Sequence, residues 1–131
     1  MSREQIKFTF QIGLPMDTPE DVLFHFKKDI ASAASHVSGG CTMSQKTGYW
    51  KEGGDERHKY FLGVMIEEIA VELEVTCEMH KADDCYAYIK DMIAAHANAY
   101  GLKTDWVHVT ETKMTGRHFS IEDHLGGYNN A

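Results

Sequence analysis

The sequence predicts a single α+β domain in which strands and helices follow one another in the order β-α-β-β-α-β. Two segments alternate between apolar and polar residues, which is typical of strands that are buried on one side only. Two other segments repeat apolar residues every three or four positions, which is typical of helices that pack on a sheet. The chain has 131 residues, of which 43% are hydrophobic and 25% charged, so it is long enough to bury one core.

The first strand and the first helix have clear boundaries in the sequence. Residues 6–14 alternate, with the apolar residues on one face: Ile6, Phe8, Phe10, Ile12 and Leu14. Pro15 ends this strand, and the next residues predict a helix start, with Thr18 as its cap and Pro19 at the first helical position. The helix carries one apolar stripe, formed by Val22, Phe26, Ile30, Ala33 and Val37. Gly39 and Gly40 are expected to end it.

The second half of the chain completes the pattern. Residues 41–50 are predicted to form a strand, 51–59 a hairpin loop and 60–79 a strand whose residues alternate most strongly from Ile69 onward. A helix over 82–100 ends at Gly101, and a last strand covers 104–114. The tail, 117–131, is expected to add a short edge strand and then fray. This order is that of the ferredoxin-like fold, whose two helices cover one face of a four-stranded antiparallel sheet.

The sheet face opposite the two helices, which we call the open face, is predicted to be polar and acidic. Strand parity places six polar side chains on it: Lys7, Thr9, Gln11, Glu68, Glu72 and Glu74. Such a face can bind a ligand or a second copy of the chain. It can equally be a solvated surface without a function, because antiparallel sheets often face water on one side.

Composition excludes several classes of function. The formal net charge of −7 argues against binding to nucleic acid and suits a cationic or neutral small ligand. No segment is long and apolar enough to span a membrane. The three cysteines show no CxxC spacing, so we expect no disulfide framework and a reducing cytoplasmic location. The eight histidines show no metal-binding spacing, and we predict neither a metal nor a cofactor.

Acidic and aromatic residues near the central hairpin are the candidates for a binding site. Glu67 and Glu68 are adjacent on one strand, so only one of them, Glu68 by parity, can point to the open face. Tyr49 and Trp50 follow Gly48, and aromatic rings there could attract a cationic ligand. Each of these residues also has an ordinary structural interpretation, as a solvated acid or as a ring that covers the hairpin.

The same region resembles the bacteriophage S-adenosylmethionine lyases, formerly called S-adenosylmethionine hydrolases. The shared features are a Thr-Gly-x-aromatic-basic-Glu strand at 47–52, an acidic pair at 67–68, an alternating strand at 71–77 that ends in Cys, and a helix that starts near Lys81. A later stretch, 110–116, resembles the last strand of that family, and the likeness covers roughly residues 39–116.

The resemblance implies an oligomer, most naturally a homotrimer, that binds S-adenosylmethionine at its subunit interfaces in the cytoplasm of a phage host. It implies a tyrosine and a glutamate that orient the ligand. Glu68 and Tyr49 take these roles, while Trp50 stands at the strictly aligned tyrosine position. Further residues that could contact the ligand are Glu67, Glu72 and, from the longer loop, Tyr60.

The reaction that the resemblance implies yields 5′-methylthioadenosine and homoserine lactone, because the carboxylate of the ligand attacks its own γ carbon. The protein would then act mainly by orientation. Two alternatives stay open at this stage. One is an oligomeric ferredoxin-like protein that sequesters or senses a small molecule without turnover, and the other is an interaction protein without a ligand.

Overall fold

The computed structural model describes residues 4–51, 65–104 and 107–129 of the chain. Its strands are β1 (Glu4–Pro15), β2 (Cys41–Lys51), β3 (Met65–Glu78) and β4 (Val107–Thr115). Its helices are α1 (Glu20–Ser38), α2 (Ala82–Ala99) and α3 (Ile121–Asn129), and one 3-10 turn, Met79–Lys81, precedes α2. The order β-α-β-β-α-β is therefore confirmed, with an additional helix at the C-terminal end.

The four strands form one antiparallel sheet in the order β2-β3-β1-β4. The central pair is β1 and β3, in which Phe10 lies opposite Leu73. β2 borders β3, and β4 borders β1, so both of these strands are edges of the sheet. Because β3 lies between β2 and β1, the sheet has the split β-α-β arrangement of the ferredoxin-like fold.

Helices α1 and α2 pack against one face of the sheet and bury its apolar residues. The buried strand residues on that face are Phe8, Phe10, Ile12, Leu14, Val71, Leu73, Val75 and Cys77. The buried helix residues that meet them include Leu23, Phe26, Ile30, Ile89, Ile93 and Ala97. The predicted alternation of β3 is confirmed, although Ile69, at the start of the core stretch, is only partly buried.

The start of α1 differs from the prediction. The Thr18 hydroxyl donates to the carbonyl of Pro15 at 2.6 Å and makes no capping bond to the helix, and Pro19 occupies the N-cap position. The hydroxyl closes the turn after β1 because that carbonyl lies three residues back along the chain. The end of α1 is as predicted: Gly39 has a φ of 84°, and its N–H donates to the carbonyl of Ser35.

Two cysteines are paired, which corrects the expectation of a chain without disulfides. Cys77 at the end of β3 is bonded to Cys85 near the start of α2. Both residues are buried, and their sequence separation is only 8. Spacing rules missed the pair because the 3-10 turn folds α2 back over the end of the strand before it. Cys41 remains a free thiol.

The tail also differs from the prediction. Residues 121–129 form a helix, α3, where a short edge strand was expected. The sequence does carry a signal for this helix, because the Ser120 hydroxyl accepts the N–H of Asp123 and two acids occupy the first turn. Three apolar side chains around this helix are exposed: Phe119, Ile121 and Leu125. In the part of the chain that the structure describes, no helix has the length and hydropathy to cross a membrane.

Candidate functional site

The open face carries a row of carboxylates along β3, as the sequence predicts. Glu72 lies between Ser44 on β2 and Gln11 on β1, and Glu74 lies between Thr42 and Thr9 in the next row. These residues share the parity opposite to the buried Leu73 and Val75. Neighbouring carboxylates on one strand give this half of the open face a negative field.

Glu72 is matched by a cation within the protein. The Nζ atom of Lys46, on β2, lies 3.0 Å from Glu72 Oε2, and the Ser44 hydroxyl lies 3.5 Å from the same oxygen. The Glu72 side chain is 19% exposed and the Lys46 side chain 62% exposed. Because this ion pair offsets the charge of Glu72, an external cation would have to compete with Lys46 for that carboxylate.

Glu68 lies at one end of the open face between two residues that lack long side chains. Its cross-strand partners are Gly48 on β2 and Pro15 on β1. Its carboxylate leans over Gly13, so that a Cβ atom at Gly13 would be only 2.6 Å from Glu68 Cδ. The side chain is half-buried in this position.

Glu68 and Tyr49 lie on opposite faces of the sheet within one subunit. The register pairs Tyr49 with Glu67 on the helix-covered face of the sheet, at an end that lies beyond the helices. Glu68 pairs with Gly48 on the open face. Tyr49 and Glu67 are both exposed at this end of the sheet. The structure therefore brings Tyr49 next to Glu67 and does not bring it next to Glu68.

The two other aromatic candidates are Trp50 and Tyr60. Trp50 pairs through its backbone with Ile66, two residues along each strand from the pair of Gly48 with Glu68. Ile66 is an exposed apolar residue at this corner of the sheet. Tyr60 lies outside the described residues.

Sequence reasoning missed the small residues in the middle of the open face. Ala70 lies between Lys46 and Gly13 in one cross-strand row, and it is only 2% exposed although neither helix covers that face. Larger neighbours therefore shield it. A glycine inside an alternating strand often marks the close approach of another group, and Gly13 was the available signal.

A second group of titratable side chains joins α1 to α2 on the helical side. The Tyr100 hydroxyl donates to Asp29 Oδ2 at 2.5 Å, and His96 Nδ1 lies 3.6 Å from the same oxygen. The hydrogen bond to the Asp29 carboxylate, together with some burial, raises the pKa of Tyr100 above its ordinary value of 10.0. No group of three or more potential metal ligands occurs among the residues that the structure describes.

Comparisons with known proteins identify the fold without a family. No protein-family model matches the chain, and no curated protein matches it. The crystal structure of At3g17210 from Arabidopsis thaliana is similar over 87% of this chain and 99% of that chain, with a TM-score of 0.52 and 10% sequence identity. A likeness at this identity indicates a common fold only.

A second solved structure is less similar. A hydantoinase/carbamoylase family amidase from Burkholderia ambifaria matches 86% of this chain and 28% of that chain, with 12% identity and a TM-score of 0.36. A likeness at this score supports no argument about this protein.

Proposed function

We propose that the protein degrades S-adenosylmethionine to 5′-methylthioadenosine and homoserine lactone at a site on the open face. The observation that carries this proposal is the row formed by Glu68, Glu72 and Glu74, of which Glu72 is paired with Lys46, on the sheet face opposite α1 and α2 in an acidic chain. S-adenosylmethionine is a sulfonium that also carries an ammonium group, so such a face attracts it. The resemblance of residues 39–116 to the phage lyases supports the same ligand.

Glu68 is the residue that binds the ammonium group in this proposal. It lies at the end of the open face where β2 carries the aromatic residues 49 and 50, whereas Glu72 and Glu74 lie further along β3. A carboxylate that accepts a hydrogen bond from an ammonium group gains more than a neutral acceptor would. The ring of Tyr49 from a neighbouring subunit would attract the sulfonium through its face.

The reaction needs no acid or base from the protein. A carboxylate oxygen of the ligand attacks its γ carbon, a C–O bond forms and the C–S bond breaks. The electron pair of that bond remains on sulfur, which leaves as neutral methylthioadenosine, while the lactone keeps its ammonium group. The protein contributes by holding the carboxylate in line with the C–S bond, and orientation of this kind can supply about 7–11 kcal/mol in ideal cases.

The site is proposed to lie between subunits of a homo-oligomer, in the simplest case a trimer. Tyr49 and Glu68 lie on opposite faces of one sheet, and the proposed ligand therefore takes them from different copies of the chain. A heterologous interface, in which one subunit offers Glu68 and the next offers Tyr49, closes into a ring when the rotation between subunits allows it.

The proposal is tested by incubating the purified protein with S-adenosylmethionine and separating the products by chromatography. We expect methylthioadenosine to form with wild-type protein and to fall strongly with Glu68→Gln. Thr112→Ala, an exposed change on the far edge strand, is the control and should retain activity. If the protein binds S-adenosylmethionine but forms no product, the sequestering protein is favoured instead. If the protein neither binds S-adenosylmethionine nor forms product, the proposal is refuted.

Mixing two variants tests the intersubunit arrangement separately. Glu68→Gln and Tyr49→Ala should each have strongly reduced activity alone. After the two proteins are unfolded together and refolded, some interfaces combine native Glu68 with native Tyr49, so activity should return. If the mixture stays inactive although both variants assemble, Glu68 and Tyr49 from different subunits do not form one site.

A further inference from the structure

We infer that Gly13 is a positioning residue for Glu68, because its missing side chain leaves the space into which the Glu68 carboxylate leans. The inference rests on the proposed function, since it concerns the carboxylate that binds the ammonium group of the ligand. It adds a residue on a different strand to the site, at a position that carries no functional group of its own.

The geometry of the contact is close. Gly13 pairs with Ala70, and Glu68 is two residues away along β3 on the same face. A Cβ atom at Gly13 would be 2.6 Å from Glu68 Cδ and 2.7 Å from Glu68 Oε2. Non-bonded carbon atoms prefer a separation of about 3.5–4.0 Å. The carboxylate therefore occupies the volume that any side chain at position 13 would need.

The backbone does not require a glycine at this position. Among the described residues the glycines with positive φ are Gly39 and Gly101, and Gly13 lies in the regular ladder of β1. Glycine weakens a strand because it contributes no side chain to packing and because its backbone loses more conformational entropy on folding than that of other residues. The close approach of the Glu68 carboxylate is the feature of the structure that accounts for a glycine at this position.

A larger residue at position 13 should move Glu68 without unfolding the protein. The atoms in conflict are at the far end of a flexible side chain, which can rotate away from the sheet. We therefore expect Gly13→Ala to leave the thermal unfolding temperature close to that of the wild type. The affinity for S-adenosylmethionine should fall by about tenfold, because the charge-assisted contact is lost.

The test is a double-mutant cycle with Gly13→Ala, Glu68→Asp and both changes together, read by calorimetry with S-adenosylmethionine and by methylthioadenosine formation. The aspartate side chain is shorter by one carbon, so its carboxylate does not reach over Gly13. Gly13→Ala should lower affinity in the wild-type background and have little further effect when Glu68→Asp is already present. Gly116→Ala is the matched control, because a Cβ atom there would meet only the end of the Gln5 side chain.

The outcomes separate the inference from the proposed function. Wild-type protein that neither binds nor cleaves S-adenosylmethionine overturns both. If the wild type is active and Gly13→Ala retains wild-type affinity, only the inference is overturned. The inference is also overturned if Gly13→Ala lowers affinity equally in the wild-type and the Glu68→Asp backgrounds. If Gly13→Ala alone does not fold, folding of the double variant supports the conflict with Glu68, and its failure to fold overturns the inference.

Discussion

Glu68 is the residue on which the proposed binding of a cation depends most. Replacing it with glutamine keeps its size and most of its hydrogen bonding but removes its charge. We expect the protein to remain as stable and its affinity for S-adenosylmethionine to fall more than tenfold, because a charge-assisted hydrogen bond contributes about 1.5–3 kcal/mol. Isothermal titration calorimetry measures this directly.

Glu74→Gln is the matched control for this change. Glu74 lies on the same strand and the same face, further from the aromatic end of β2, and loses the same charge. A smaller effect than that of Glu68→Gln is expected. Equal losses for the two variants would mean that the ligand responds only to the overall field of the open face.

Tyr100 is predicted to make the free energy of unfolding fall as the pH rises into the alkaline range. Its hydrogen bond to Asp29 raises the pKa of the hydroxyl in the folded state above the ordinary 10.0, so the folded state favours the neutral form. The contribution is fully present below the pKa of the unfolded chain and is lost as pH rises through the folded pKa. Urea unfolding of the wild type should show this loss above about pH 10.

Tyr100→Phe should remove that particular loss, because the variant has no hydroxyl to ionise beside Asp29. Tyr88→Phe, which changes a half-buried tyrosine of α2, is the control. A Tyr100→Phe protein whose stability falls with alkaline pH as steeply as that of the wild type would contradict the account of this contact.

At the scale of elements, the stability of the sheet depends on the apolar side of β3. Leu73 is fully buried between β1, β2 and the helices. Leu73→Ala should lower the free energy of unfolding by about 2–5 kcal/mol, since it removes packed atoms and leaves a cavity. Leu125→Ala, the same change at an exposed site on α3, should alter it by less than about 0.5 kcal/mol. Similar losses at both sites in urea titrations would argue against this core.

The elements that the sequence predicted well are those with strong periodicity. β3 and β1 each have one buried face, and a shift of one residue would move every apolar side chain into water, so pattern alone determines which face meets the helices. The carboxylates on the open face follow from the same parity. The strand over 60–64 and most of the hairpin loop lie outside the described residues.

The features that the sequence did not predict depend on contacts between segments. The bond between Cys77 and Cys85 arises where a turn folds α2 over the end of β3, which spacing rules do not capture. The pairing of Lys46 with Glu72 and the place of Glu68 over Gly13 depend on the register between strands. Local pattern gives the face of each residue but not its cross-strand neighbour.

At the scale of the whole molecule, the proposed site requires self-association. The open face is bordered by exposed apolar residues at two corners, Ile66 and Met114, and β2 and β4 are edge strands. We expect multi-angle light scattering to report an oligomer at micromolar concentration. Ile66→Glu should weaken the assembly by placing a charge at this corner, and activity should fall with it. A wild-type monomer at that concentration would remove the intersubunit site from the account.

The source of one oxygen atom in the product tests the central claim most directly. In the proposed reaction the ligand carboxylate attacks the γ carbon, so that the hydroxyl oxygen of any homoserine formed later from the lactone comes from the ligand. With the protein in water enriched in oxygen-18, we expect methylthioadenosine to form and mass spectrometry to find no label in that hydroxyl group. Label in the hydroxyl group would indicate direct attack by water, and the absence of methylthioadenosine would contradict the proposed activity altogether.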